Sequence, residues 1–346
     1  MTLDDARLLE ERDPHRVREV LAAFAAQCRA AQALAADPPV PRERPALVVV
    51  AGMGGSAAAG DLLAACAAER LDVPVLVHRG YGLPAAAGKQ ALVIASSYSG
   101  ETAEVLSSVD AALSRGAAVA AITSGGRLAE LAGARRLPLV RLPAGLMPRM
   151  ALGYLFLPAA RILAALGLPV ATDAELGEAV EVLQALADEL RPERPAAANE
   201  AKRLAQALDG RMPAIYGGPT TGPAAYRWKT DLEENAKVMA LAGTLPEMNH
   251  NEIEAWRAPA AQALHLTLLR DDGEPPEIAR RFAVLRDLVA PAAGGVSECR
   301  ARGAGRTARL LSLVYVGMWV SYYLALARGV DPWPVPLLDE VKRRLR

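Results

Sequence analysis

The run Ala46-Leu47-Val48-Val49-Val50-Ala51-Gly52, entered from Pro45, does most to limit what this chain can fold into. A continuous apolar stretch that ends in glycine suits a parallel strand covered on both faces, not a strand with one wet face. Similar runs recur at 73–78 (VPVLVH), 91–97 (ALVIASS), 117–123 (AAVAAIT) and 137–143 (LPLVRLP), with helix-patterned segments at 60–70 and 102–115. Parallel neighbours can be joined only by a crossover, so this alternation predicts a doubly wound sheet. The rhythm restarts after the proline-rich segment 191–198: strand at 212–218, helix at 221–236, strand at 263–271, helix at 276–288, strand at 294–299. Residues 3–36 read as helix, and Thr172 with Glu175 forms a capping box before a helix that runs to about Leu190. The expected fold is α/β, with two doubly wound domains, each a parallel sheet flanked by helices. The expected boundaries are a helical segment at 1–45, a first domain at 46–165, a helical connection and linker at 166–198, and a second domain with C-terminal helices at 199–346.

Composition narrows the function classes. Hydrophobic residues make up 52% of the 346 residues with only 4% aromatic, enough for a sizeable alanine-rich core and against global disorder. Thirty-nine basic and 39 acidic side chains cancel, which argues against nucleic acid or a polybasic membrane contact as partner. Cys28, Cys66 and Cys299 are far apart, so neither a disulfide framework nor a zinc ligand set is visible, and a cytoplasmic location is expected. The N-terminus lacks an apolar signal core. The stretch 310–327 is uncharged and nearly long enough to span a membrane, but its serines, tyrosines and glycine read as a buried core helix.

Two loops carry the chemistry. Gly52-Met53-Gly54-Gly55-Ser56 opens a helix, where backbone N–H groups and the helix dipole favour an anion. Gly52, Gly54 and Ala57 also satisfy the loose dinucleotide fingerprint, but that reading wants an acidic residue ending the next strand. His78-Arg79 stands there instead, which at best suits the 2′-phosphate of an NADP-dependent oxidoreductase. The second loop is Ser96-Ser97-Tyr98-Ser99-Gly100-Glu101-Thr102, again opening a helix. One hydroxyl, Ser99 or Thr102, would serve as an N-cap. Several hydroxyls beside a Gly-Gly-Ser loop read as a phosphate cradle at the carboxyl edge of the sheet.

Elsewhere His15 reads as solvated on a charged helix, and His78 and His265 as structural, whereas His250 lies in the polar loop 246–252. In the charged helix 226–235, Lys229 and Glu233 can pair at i,i+4, and Glu234 projects in another direction. Arg149, after Pro148, is either an ion-pair partner at a domain interface or an anion clamp. No His, Cys or carboxylate cluster has metal-ligand spacing. No cofactor is expected.

Ser97 to Thr102 resembles the phosphosugar loop of sugar isomerase (SIS) domains. The whole chain resembles the bifunctional phosphoglucose/phosphomannose isomerase family, which has two such domains. The resemblance runs through GMGGSAAAGDLL (52–63), SSYSGETAEVL (96–106), PRMALGY (148–154), YRWKTDLEENAK (226–237), PEMNHNEIEAW (246–256) and VSYYLALARGVDPWPV (320–335). It implies a metal-free aldose–ketose isomerase acting as a homodimer on a phosphorylated hexose. The phosphate would be held by Gly54, Gly55, Ser56, Ser97, Ser99 and Thr102. Glu234 would be the base of a cis-enediol mechanism, and Arg149 would stabilise the enediolate. His250, from the other subunit, would assist ring opening, and Lys342 would reach the active site. The departures are Glu101, where many members carry Asn, Met318, where Asp is expected, and Trp333, where Thr is common. The last two bear on substrate range. The competing expectation is a non-catalytic SIS-type protein that binds or senses a phosphosugar.

Overall fold

The computed structural model describes residues 3–345, and the chain divides into two compact units. Phe24–Val180 form one, and Met1–Ala23 with Glu181–Arg346 form the other. In chain order the elements are α1 (Ala6–Arg12), α2 (Val17–Ala22), α3 (Phe24–Gln32), β1 (Leu47–Ala51), α4 (Gly54–Ala67), β2 (Val75–His78), β3 (Ala91–Ser96), α5 (Ala103–Ser114), β4 (Ala118–Thr123), α6 (Gly126–Arg135), β5 (Leu139–Arg141), α7 (Leu152–Ala165) and α8 (Asp173–Leu190). They continue as α9 (Glu200–Leu208), β6 (Met212–Gly217), α10 (Gly222–Ala236), β7 (Leu241–Thr244), β8 (Leu264–Arg270), α11 (Pro276–Val289), β9 (Gly295–Arg300), α12 (Arg306–Ala327) and α13 (Pro336–Arg344). The capping box forms as expected: the Thr172 hydroxyl accepts from Glu175 N at 3.2 Å, and the Glu175 carboxylate accepts from Thr172 N at 2.7 Å.

The N-terminal helix expected over 3–36 is three short helices. Asp13 causes the first break: its buried carboxylate accepts from Val17 N at 2.6 Å and Arg18 N at 3.1 Å, which caps α2 instead of continuing α1. His15 therefore lies on the turn between α1 and α2, not on a helix. Its Nδ1 is 2.8 Å from the Asp331 carboxylate, and its ring stacks on Trp333 with centroids 5.7 Å apart.

Phe24–Val180 build an all-parallel sheet in the order β2-β1-β3-β4-β5. Val49, Ala51, Val93 and Ala95 face one core with Val105 and Val109 of α5 and Leu128 of α6. On the opposite face α4 approaches closely, since a Cβ at Gly60 would lie 2.9 Å from the Val50 side chain. Both faces are thus covered, as the continuous apolar runs require. The second sheet is also parallel, in the order β7-β6-β8-β9. Strand β7 carries no sequence signal, because Leu241-Ala242-Gly243-Thr244 is a half-exposed edge with no apolar run.

In the second unit α12 is the core helix, buried along nearly its whole length. Trp228 of α10 lies fully buried against it and donates its indole N–H to Leu313 O at 2.7 Å. Gly317 makes room for that ring, because a Cβ there would land inside the indole. Gly317→Ala is expected to cost about 1–3 kcal/mol of stability by overpacking. Gly177→Ala, in the open interior of α8, is expected to add roughly 1 kcal/mol by helix propensity. Opposite shifts of the urea midpoint are the expected result, and equal shifts would mean the indole does not constrain Gly317.

Candidate active site

In the first sheet the chain leaves β1 towards β2 on one side and returns as β3 on the other. The crevice beyond the carboxyl ends of β1 and β3 is therefore a ligand position by topology alone. Both glycine- and serine-rich loops open there. Met53 is extended ahead of α4, and Gly54 takes a left-handed φ of 51°. Gly55 serves a different purpose: a Cβ on it would lie 2.7 Å from the Pro148 carbonyl oxygen and 3.2 Å from Arg149 Cα. The missing side chain lets the 3-10 turn Pro148–Met150 rest on the first turn of α4. Ser56 and Arg149 are both buried there, at 4% and 3% exposure.

The serine loop is organised by its own hydroxyls. Ser97 Oγ and Thr102 Oγ1 are 2.8 Å apart, Ser97 Oγ accepts from Gly100 N at 3.1 Å, and Ser99 Oγ accepts from Glu101 N at 3.3 Å. Thr102 occupies the N-cap of α5, yet its side chain makes no capping bond to the helix. The first amides of α5 thus keep their capacity for an acceptor, which is what an anion site at a helix start requires. Gly100 has φ 72°, and the Gly125 carbonyl occupies the space where its side chain would be. Glu101 turns away from its own loop: its carboxylate accepts from Arg127 N at 3.0 Å, in the first turn of α6. That helix start favours a negative charge, so the glutamate has a local role unconnected with repelling a phosphate.

Arg79 pairs with Asp61 of α4. Burial raises the Asp61 carboxyl, and the guanidinium opposes that shift. The cation that a 2′-phosphate would need at the end of β2 is therefore engaged within the unit.

Glu234, His250 and Lys342 belong to the other unit. Glu234 is half-buried in the last turn of α10. That helix is fixed around it: Arg227 and Asp231 form a buried ion pair at 2.8 Å, and Asn235 Nδ2 donates to Ser321 Oγ of α12 at 2.9 Å. Lys229 is taken by Glu233 at 2.6 Å, as their spacing predicts. His250 is exposed at the end of the 3-10 turn Glu247–His250. Asn251 donates to Glu247 at 2.8 Å and caps Glu252 N at 2.6 Å, and Tyr216 donates to Glu252 at 2.9 Å. Lys342 is exposed on α13. Met318 is a core side chain of α12 at 1% exposure. His265 is buried, with Nε2 2.8 Å from Ser297 Oγ, and burial together with Arg211 lowers its pKa.

Sequence comparison gives these residues a context. The SIS domain profile matches residues 46–132, and the bacterial phospho-glucose isomerase C-terminal SIS domain profile matches 197–345. The bifunctional phosphoglucose/phosphomannose isomerase of Caldicellulosiruptor bescii is 40% identical over 301 residues, covering 86% of this chain and 89% of that protein. The enzyme of the same name from Thermoplasma acidophilum is 33% identical over 298 residues, covering 86% and 89%. The chain belongs to the bifunctional phosphoglucose/phosphomannose isomerase family. A solved glucose-6-phosphate isomerase like protein from Thermus thermophilus shares the fold, with a TM-score of 0.65 at 22% identity over 99% of both chains.

Within this family architecture the two sheets end differently. Where β3 runs into Ser96-Ser97, the matching strand β8 runs into Arg270-Asp271. Arg270 bonds Glu274 and Glu298 and lies 4.5 Å over the Phe282 ring, and Asp271 pairs with Arg309 at 2.6 Å. In the preceding glycine loop, Thr221 Oγ1 accepts from Gly218 N at 2.8 Å and donates to Leu269 O at 2.9 Å. Those polar groups satisfy one another, unlike the hydroxyl loop at the end of β3. Glu101→Ala is expected to cost about 1 kcal/mol of stability, as loss of a charged cap does. Its affinity for inorganic phosphate should stay within about twofold. A much tighter phosphate complex would show that the carboxylate faces the anion.

Proposed function

We propose that this chain interconverts glucose 6-phosphate and mannose 6-phosphate with fructose 6-phosphate, without a metal, through a cis-enediol. The observation that carries the reading is the hydroxyl pair Ser97–Thr102 at the open start of α5, in a chain of this family. Hydroxyls of this kind suit the phosphate of a sugar, and the named activity of the relatives supplies the reaction class.

The roles follow from the chemistry. Gly54, Gly55, Ser56, Ser97, Ser99 and Thr102 hold the phosphate through backbone N–H groups and hydroxyls. With an aldose substrate, Glu234 takes the C2 proton while O1 gains one, which gives the enediol. The proton then returns at C1 as O2 loses its own. The C2 proton is weakly acidic, so charge developing on the oxygens needs a fixed cation, and Arg149 supplies a guanidinium that stays charged. Glucose and mannose 6-phosphates differ only at C2 and share one enediol. Returning the proton to either face of C2 yields one epimer or the other. His250 assists ring opening, and its exposure suits action in a second copy of the chain, so the working form is a homodimer. Lys342 contributes charge from α13, and the enzyme acts in the cytoplasm. Trp333 stacks on His15, and Met318 lies in the core.

Purified protein with fructose 6-phosphate should form both glucose 6-phosphate and mannose 6-phosphate, at rates unchanged by chelator. Glu234→Gln should lower kcat by about 10²–10⁴-fold while phosphate still protects the protein against heat. Full activity in that variant would remove Glu234 as the base. Heat protection by sugar phosphates with no product from the wild type would instead favour the binding protein.

A further inference from the structure

The helix α3 buries Phe24, Ala25, Cys28 and Ala31, and among these apolar side chains it also buries Gln27, at 7% exposure. A buried amide is costly unless its donor and acceptor both find partners. Both ends of Gln27 do, and both partners are backbone atoms, one on the residue after Arg149 and one four residues past it. Nε2 donates to Met150 O at 2.9 Å, and Oε1 accepts from Gly153 N at 2.9 Å. Met150 ends the 3-10 turn that contains Arg149, and Gly153 lies in the first turn of α7, where amides lack helical partners.

The surroundings leave this segment little freedom. A Cβ at Gly153 would lie 2.8 Å from Cys28 Sγ and 2.9 Å from Gln27 Oε1, so α3 and the start of α7 touch directly. On the other flank Gly55 brings α4 against the Pro148 carbonyl and Arg149 Cα. The Arg149 backbone is thereby held between α4 on one side and the Gln27 amide on the other. Burial pushes the Cys28 thiol up to about 12, so this neighbour acts through its volume and not as a thiolate.

From this geometry we infer that Gln27 is a positioning residue for Arg149, tying the backbone that carries the guanidinium so that it meets developing negative charge in one fixed place. The inference rests on the role given to Arg149 above. The amide suits the task because it offers one donor and one acceptor at the same time. A carboxylate can do so only when protonated, and an aliphatic side chain cannot do so at all.

The test is a kinetic cycle with Gln27→Leu, Gln27→Glu, Arg149→Ala and the double variant Gln27→Leu/Arg149→Ala, assayed with fructose 6-phosphate. A small misplacement of a charge-stabilising group lowers the rate by on the order of 10²-fold. Gln27→Leu should therefore lose kcat by about 10–100-fold with KM within about threefold, because the phosphate is held by other residues. In the Arg149→Ala background the same change should alter kcat by less than about twofold. Gln27→Glu keeps the shape, and burial raises its carboxyl pKa. Its kcat relative to wild type should be highest at low pH, where the protonated oxygen donates to Met150 O, and should fall as pH rises.

Three outcomes overturn the inference. In the first, folded Gln27→Leu keeps wild-type kcat. In the second, its loss is the same with and without Arg149, as a general weakening of the fold would give. In the third, Gln27→Glu follows the wild-type pH profile. Should Gln27→Leu not fold, Gln27→Glu at low pH decides by its profile alone. Full kcat in Arg149→Ala would sink the role of Arg149 itself. A crippled Arg149→Ala beside a normal Gln27→Leu would sink only the positioning role.

Discussion

The close approach of two backbones at Gly55 is the constraint on which the candidate site depends. Helix α4 meets the turn Pro148–Met150 with no side chain between them, since a Cβ would stand 2.7 Å from the Pro148 carbonyl oxygen. That contact brings a buried arginine to the start of the helix that the glycine loop opens. Interiors packed at crystal-like density transmit such contacts without slack. Gly153 repeats the device on the far side of the turn, where α3 comes in with Cys28 and Gln27. The glycines of this unit therefore do two kinds of work. Gly54 and Gly100 supply left-handed backbone, while Gly55 and Gly153 supply absence of volume.

A parallel sheet with both faces covered leaves its polar chemistry to the strand ends. The two sheets of this chain share the pattern in which the first strand lies between the second and third. They use their ends differently. Beyond β3 the hydroxyls of Ser97 and Thr102 bond each other, and the Thr102 side chain leaves the first amides of α5 uncapped. Beyond β8 a guanidinium and carboxylates pair among themselves, and Thr221 ties its loop to Leu269. An open helix start can receive an anion, whereas a paired one contributes rigidity. The second unit applies that rigidity to the helix of Glu234, through Trp228, the buried Arg227–Asp231 pair and Asn235.

The architecture was readable because continuous apolar runs leave few alternatives to buried parallel strands. The runs at 46–52 and 91–97 became β1 and β3, and the 18 residues from Asp173 to Leu190 form the capped helix α8. Elements without such a signal escaped: β7 is a four-residue edge strand, and α6 and α9 are short helices. The single helix read over 3–36 failed because Asp13 caps a new helix, which apolar periodicity does not register. The loops that hold the candidate site residues were legible through glycine and hydroxyl spacing. Their local supports were not. Gln27, Tyr216 and Ser321 act through backbone or side-chain partners distant in sequence, and nothing in their immediate neighbours announces it.

In the proposed reaction a carboxylate moves a proton between C1 and C2 of a phosphorylated hexose through an enediol. Conversion of fructose 6-phosphate in deuterium oxide, with the product hexose phosphates read by NMR, tests it most directly. A base that exchanges with solvent should leave deuterium at C2 of the product, and Glu234→Gln should abolish that incorporation together with turnover. Protium alone at C2, with full turnover kept in Glu234→Gln, would contradict the account, since the proton would then pass between the carbons without this carboxylate.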